Sequence, residues 1–300
     1  MANRPSVFGL LNIDKPAGPT SHDIVARVRR GTRVRKVGHA GTLDPMATGV
    51  LVLCLGAATR LSEYVMASGK VYRARVRFGI ETDTYDAEGT VVAERPVVLE
   101  RVAVEAALAA FRGPIEQVPP MYSAIQRGGR RLYELARAGQ EVAREPRPVT
   151  IDRLALIAWE PPDAELEIAC SPGTYIRSLA HDLGQALGTG AHLAALRRVA
   201  SGHFTVEDAV RWDELEAAMA DRSWQRYVLP ADQAVADLPA LYLDAAQSEA
   251  VRRGQWLDAD PLPEPGALAR AYDDAGAFLA VLEARGARWK PQKVFLAGEV

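Results

Sequence analysis

The residues best suited to chemistry lie in "RKVGHAGTLDPMATGVLVLCLG", Arg35 to Gly56. Two cations, His39, glycines at 38, 41 and 49 and a single carboxylate, Asp44, precede an unbroken apolar run. Asp-Pro starts turns routinely, and a lone carboxylate in a loop signals nothing more by itself. Here the surroundings raise its standing. Glycines permit close backbone approach, a buried strand anchors the far end of the loop, and the nearby cations favour an ionised carboxylate. An ionised, oriented aspartate is a nucleophile. Glycoside hydrolases generally flank the scissile bond with two carboxylates, so a loop with one disfavours simple glycosidic hydrolysis.

Other chemistry finds little support. The chain has no Cys-x-x-Cys, no His-Glu-x-x-His, no Gly-x4-Gly-Lys-Ser/Thr and no Gly-x-Gly-x-x-Gly, so no metal or nucleotide cofactor is expected. "GTGAHL" lacks the third glycine and the lysine of a phosphate loop and reads as a helix-start turn. His22, His181 and His192 fall in helix-like segments, as surface or satisfied core residues. Cys54 and Cys170 are far apart in apolar strand-like runs, which reads as two core thiols rather than a disulfide or zinc framework.

The elements that must position Asp44 follow from periodicity. "PTSHDIVARVRRG" opens on the capping residues Thr20 and Ser21, keeps Ile24, Val25 and Val28 on one face and stops at Gly31. Val50–Leu55 is too short for a stable helix and reads as a strand buried on both faces. "VYRARVRF" alternates, placing Tyr72, Ala74, Val76 and Phe78 on one face and Arg73, Arg75 and Arg77 on the other. Leu99–Phe111 reads as a helix closed by Gly113-Pro114, and a long basic excursion follows. "AELEIAC" alternates as a strand and "IRSLAHDLGQALG" as a helix, which puts Tyr175 and Arg177 at a strand-to-helix junction. Beyond a composition shift near Asp237, "ALARAYD" and "AFLAVLEA" are short strands of the kind a small barrel uses.

The chain has 300 residues, 48% hydrophobic and 25% charged, which suits a large folded domain plus a small one. No apolar run spans a membrane and the amino terminus has no signal-peptide pattern, so a cytoplasmic protein is expected. The net charge of -2 conceals a division. Residues 1–204 carry 26 Lys+Arg against 21 Asp+Glu, and residues 205–264 carry 5 against 13. An anionic partner therefore meets the amino-terminal part, where Arg27–Lys36 holds six cations and Arg127–Arg147 six against three acids.

Taken in order, the longer motifs resemble the TruB family of bacterial tRNA pseudouridine-55 synthases. "GLLNIDKPAGPTSHDIV" is similar to the family's first motif, "GHAGTLDPMATGVLVLCLGAATRL" to its catalytic-aspartate motif and "KVYRARVRFGIETDTYDAEG" to the tyrosine-bearing strand. The likeness continues through "VPPMYSAIQRGGRRLYELARAGQEVAREPRPV", "CSPGTYIRSLAHDLG" and "GAHLAALRRVASGHF".

The resemblance implies an α+β fold. A pseudouridine synthase catalytic domain, residues 1–236, has a mixed, largely antiparallel sheet with flanking helices and a basic RNA-binding insertion at about 124–150. A small PUA-like β-barrel follows at 237–300. It implies isomerisation of uridine 55 in the T loop of tRNA, in which C1'–N1 breaks and C1'–C5 forms on a flipped-out base, without a cofactor. The implied partner is tRNA, at the T arm and the acceptor stem, with a monomeric enzyme that needs no protein partner. Asp44 becomes the essential aspartate, acting either by attack at C1' or by driving elimination to a glycal, with Arg177 as its ion-pair partner. Tyr72 would stack on the uracil and shuffle a proton, and Tyr175 would line the pocket. His39 would fill the gap left by the flipped uridine, Lys15 would fix the first motif against the catalytic loop and Leu196 would close the pocket wall. Arg130 and Arg131 would bind RNA from the basic arm. Two other readings stand beside this one: a guide-RNA-dependent pseudouridine synthase subunit, and a non-catalytic tRNA-binding or folding module in which Asp44 is only structural.

Overall fold

The structure, a computed structural model, describes residues 7–122, 142–260 and 263–296, with the backbone of 126–127 and 130–131. Its frame is an 11-stranded sheet. Eight of the strands matter for the site: β1 (Gly9–Lys15), β2 (Val37–His39), β3 (Thr48–Leu55), β4 (Lys70–Phe78), β5 (Gly113–Gln117), β6 (Arg147–Glu160), β7 (Asp163–Cys170) and β8 (Ala191–Ser201). The main path runs β1-β3-β8-β4-β7-β6-β5, and β2 pairs with β3 at the side. Among these strands only β3 and β8 run parallel; the other neighbours are antiparallel, and Val210–Arg211 adds a parallel pair with β1 at the outer end of the path. This is the mixed, largely antiparallel sheet expected from the motifs.

Both faces of β1 and β3 are covered, which explains their continuous apolar runs. Leu11, Ile13, Leu51, Leu53 and Leu55 enter one core, with residues from helices α1 (Ser21–Thr32), α3 (Arg101–Leu108), α4 (Ile176–Ala186) and α5 (Trp212–Ala220). The alternate residues Leu10, Val50, Val52 and Cys54 enter a second core on the opposite face, with Val65 of the short helix α2 (Ser62–Ala67). Burial pushes the Cys54 thiol up to about 12 and the Cys170 thiol to about 11.

Helix α1 begins with a full capping box between Thr20 and Asp23 and buries Ile24, Val25 and Val28. It does not stop at Gly31. The helix continues to Thr32, and Arg33 takes the left-handed cap at φ 61°. Gly31 is there for packing, since a Cβ would stand 2.5 Å from Met219 Sδ of α5. "GTGAHL" is likewise not a helix start. Gly188 and Gly190, both at positive φ, turn the chain out of α4 and into β8. His192 therefore lies in a strand, where its Nδ1 meets Ile80 O at 2.9 Å.

Residues 147–150 of the expected basic insertion belong to β6 and pair with β5 in the main sheet. Residues 126–127 and 130–131 form a two-residue ladder. The side chains of Arg130 and Arg131 lie outside the described residues.

The carboxy-terminal part forms a separate five-stranded sheet, PUA-like and curled. In sheet order its strands are Ala240–Tyr242, Leu268–Tyr272, Phe278–Arg285, Arg288–Val294 and Leu257–Asp258. It rests on the second core, to which it contributes Val281 and Phe295. Polar ties reinforce the contact: Tyr272 Oη donates to Asp232 Oδ2 at 2.6 Å, Arg60 Nη1 to Val294 O at 2.8 Å, and Lys293 pairs with Glu63 at 2.7 Å.

Candidate active site

Asp44 sits in the turn between β2 and β3, closed by Ala47 N–H donating to Asp44 O at 3.1 Å. Three side chains from three elements fasten the backbone on either side of it. Ser21, at the start of α1, accepts from Leu43 N at 2.8 Å and donates to Leu43 O at 3.0 Å. Lys15, at the end of β1, is fully buried and donates to Pro45 O at 3.2 Å and Ala47 O at 2.8 Å. Arg198, from β8, is also buried and donates to Gly41 O at 3.1 Å, Thr42 O at 3.4 Å and Val50 O at 2.7 Å. Burial pushes the Lys15 ammonium down to about 8 against the opposing charge of Asp44.

The carboxylate meets Arg177 at two points, Nε to Oδ2 at 3.0 Å and Nη2 to Oδ1 at 3.2 Å. Arg177 lies in the first turn of α4 and is itself enclosed. Its Nη2 donates to Tyr122 O at 2.7 Å and its Nη1 to Thr84 O at 3.4 Å. Nη1 also faces Asp86 Oδ2 at 3.3 Å. One guanidinium thus stands between two carboxylates. The cations of Asp44's own stretch, Arg35 and Lys36, are exposed; those whose charge acts on Asp44 are Arg177 and Lys15, and their effect is outweighed. Burial pushes its carboxyl above the usual range and Asp86 adds to this, while Arg177 and Lys15 pull the other way.

Tyr72 of β4 is cross-strand from Arg198 of β8 and from Ile168 of β7. Burial pushes its phenol up, with the charge of Arg198 pulling the other way. It is a neutral hydroxyl at physiological pH. Leu196, two residues before Arg198, is buried opposite Ala74 in the first core.

Tyr175 caps α4, its backbone held by Gln117 of β5. The Gln117 Oε1 accepts from Tyr175 N at 2.7 Å and Nε2 donates to Tyr175 O at 3.0 Å. His39 ends β2 with its ring edge-on to His22 of α1, centroids 5.1 Å apart. Burial pushes it down to about 4, with His22 and Arg198 acting in the same sense, so its imidazole is neutral near pH 7.

The sequence reading gave no part in the site to Asp86, Arg198 or Gln117, and took Ser21 only as a capping residue. Asp86 lies in "TDTYDAEG", whose composition reads as a plain turn. Its Oδ1 accepts from Thr84 Oγ1 at 2.6 Å and Glu88 N at 3.1 Å, which aims Oδ2 at Arg177. Arg198 did carry a signal, because it shares the inward parity of Leu196 in an alternating strand. Arg30, Arg33, Arg35 and Lys36, from the end of α1 to the start of β2, are exposed. None has an ion-pair partner among the described residues.

A sheet of this order, with an aspartate-bearing loop paired to an arginine at a strand-to-helix junction, is that of the pseudouridine synthase class. Solved structures agree with it. A Cbf5-Nop10-Gar1 complex matches with a TM-score of 0.76 and 27% identity over 96% of this chain and 85% of that one. An H/ACA RNP bound to a substrate RNA containing 2'-deoxyuridine matches with a TM-score of 0.75 and 25% identity, over 97% and 86%.

Within the class, the chain belongs to the TruB family. Residues 29–176 match the TruB family pseudouridylate synthase N-terminal domain. Residues 177–236 match the tRNA pseudouridylate synthase B C-terminal domain, and 238–296 the tRNA pseudouridine synthase II C-terminal domain. A tRNA pseudouridine synthase B of Cupriavidus metallidurans is 44% identical over 299 residues, 97% of this chain and 95% of the relative. One of Pseudomonas aeruginosa is 45% identical over 283 residues, 93% of each.

Proposed function

We propose that the protein isomerises uridine 55 in the T loop of tRNA to pseudouridine, with Asp44 as the essential carboxylate. The observation that carries this reading is the two-point pair between Asp44 and the enclosed Arg177, on a loop fastened from β1, α1 and β8. A carboxylate so placed meets the ribose as an anion of fixed direction, which suits attack at C1' and elimination toward a glycal alike. Arg177 holds its orientation and favours its charge.

The remaining roles follow the chemistry of each side chain. Tyr72 supplies an aromatic face for the flipped uracil and a hydroxyl for its proton traffic. Tyr175 lines the same pocket, and Leu196 closes its wall from β8. His39, a neutral ring at the end of β2, fills the space that the uridine leaves. Lys15 holds the Asp44 turn against the first motif. We divide the chain at 236/237 into a catalytic domain and a PUA-like RNA-binding domain. The partner is tRNA, gripped by the T arm and the acceptor stem, with Arg130 and Arg131 contributing from the basic arm. The enzyme works as a monomer in the cytoplasm.

The structural likeness to Cbf5 complexes favours one competing reading, a subunit that needs a guide RNA. Incubation of the purified chain with protein-free tRNA transcript, followed by position-resolved pseudouridine detection, separates the two. Modification at position 55 without added RNA or protein is the expected result. Modification only after a guide RNA is supplied would establish the competitor, and none under either condition would leave a binding module.

A further inference from the structure

Arg198 is 2% exposed and faces no carboxylate among the described residues. A buried cation without an anion is costly unless its donors are all used for something. Its position shows what that is. In β8, Arg198 is the register partner of Gly49 in β3 on one side and of Tyr72 in β4 on the other. It therefore stands between the strand that follows Asp44 and the strand that carries Tyr72. Nε and the two terminal nitrogens reach Val50 O, Thr42 O and Gly41 O, and the guanidinium's charge acts on the phenol of Tyr72, its cross-strand neighbour. Five N–H groups in a planar fork suit such divergent acceptors, and an ammonium does not.

We propose that Arg198 is a positioning residue for Tyr72. Its charge, acting on the phenolic oxygen, fixes the direction of the hydroxyl, so that the proton points away from Arg198 and toward the base. This inference rests on the reading of Tyr72 as the base-side residue. The isomerisation takes one proton from C5 of uracil and places one on N1. A hydroxyl that gives one and receives one is unchanged at the end, and a hydroxyl under the charge of a guanidinium releases its proton more readily. The same guanidinium binds the Asp44 loop, so the orientation of the phenol and that of the carboxylate are set by one side chain.

The test is a double-mutant cycle in single-turnover pseudouridine formation on protein-free tRNA, with Arg198→Lys, Tyr72→Phe and the double variant. Thermal midpoint and tRNA affinity are measured on each. Lysine keeps the charge but ends short of the terminal guanidinium nitrogens. Arg198→Lys should slow turnover with tRNA affinity little changed, and its effect should shrink by about 3- to 100-fold in the Tyr72→Phe background. In protein labelled with 13C at the tyrosine Cζ, the titration of Tyr72 should move to higher pH in Arg198→Lys. Equal slowing in both tyrosine backgrounds, with an unmoved titration, would overturn the inference and leave Arg198 as a loop clamp alone. Tyr72→Phe turning over as fast as the unsubstituted protein is a separate result. It would remove Tyr72 from the chemistry, and the inference with it.

Discussion

Arg177 holds Asp44 side-on, through Nε at 3.0 Å and Nη2 at 3.2 Å, while its remaining nitrogen faces Asp86 at 3.3 Å. The fork leaves Asp44 no freedom to rotate about its own axis, and it keeps a second acid close enough to oppose ionisation of the first. The proposed catalysis by an Asp44 anion would depend on both contacts.

Asp44→Asn should retain tRNA binding and lose essentially all isomerisation. The amide is nearly the same size, but it has neither charge nor useful nucleophilicity. Single-turnover assays with enzyme in excess, beside a binding isotherm, check this. Pseudouridine formation near the unsubstituted rate would end the assignment.

Arg177→Lys should reduce turnover far more than affinity, because an ammonium cannot reproduce the two-point contact. Arg177→Ala would leave Asp44 and Asp86 without the guanidinium that stands between them. The expected loss of stability is about 3–5 kcal/mol, read by chemical denaturation. Weakened binding with an unchanged single-turnover rate in Arg177→Lys would move the residue to an RNA contact.

A carboxyl made harder to ionise shows itself in the direction of a pH profile. The Asp44 carboxyl is pushed above its usual range by burial and by Asp86, and the proposed reaction needs the anion. Single-turnover rate should therefore fall, as pH falls, at a higher pH than an ordinary aspartate would give. Asp86→Asn removes one cause of the rise, so it should move this acid limb to lower pH. A limb that stays in place would assign it to another group.

Much of this arrangement was legible because periodicity and burial coincide. The alternation of β4 sends Ala74, Val76 and Phe78 into the core, each about 1% exposed, so the side of the sheet on which Tyr72 falls could be read directly. The capping box of α1 and the two-sided burial of β3 were equally plain, and together they place the Asp44 loop. What escaped reading depends on pairing between distant strands. Nothing in the local sequence of Arg198 says that Gly49 and Tyr72 will be its neighbours, and Asp86 becomes an acid beside Arg177 only once the loop after β4 folds over α4. Gly31 misled for a related reason, since its role is set by Met219 almost two hundred residues away.

Gly49→Ala should be severe for a reason visible only in three dimensions. Gly49 has φ +98°, and a Cβ there would lie 2.2 Å from Arg198 O and 2.9 Å from Arg198 N. Backbone cannot give way as a flexible side chain does. Left-handed strain and overpacking together should cost about 2–5 kcal/mol and pull β3 away from β8, with a loss of turnover as well as of thermal midpoint. An unaltered midpoint would mean that the two strands separate without penalty.

The contact between the carboxy-terminal sheet and the catalytic sheet changes what truncation can reveal. Val281 and Phe295 share a core with Leu10, Val50 and Val52, and Val50 and Val52 belong to the strand that follows Asp44. Deleting 237–300 to ask about RNA binding would expose that core and unfold or loosen β3. A point substitution asks the question more cleanly. Phe295 is 2% exposed, stacks near Phe8 and Phe278 with centroids 4.7 and 5.3 Å away, and lies under the Arg60 guanidinium at 5.0 Å. Phe295→Ala should cost about 3–5 kcal/mol in a single unfolding transition, because the two sheets share the core that it empties. Two transitions, with only the smaller one shifted, would show that the carboxy-terminal sheet melts alone and that the catalytic strands do not need its cover.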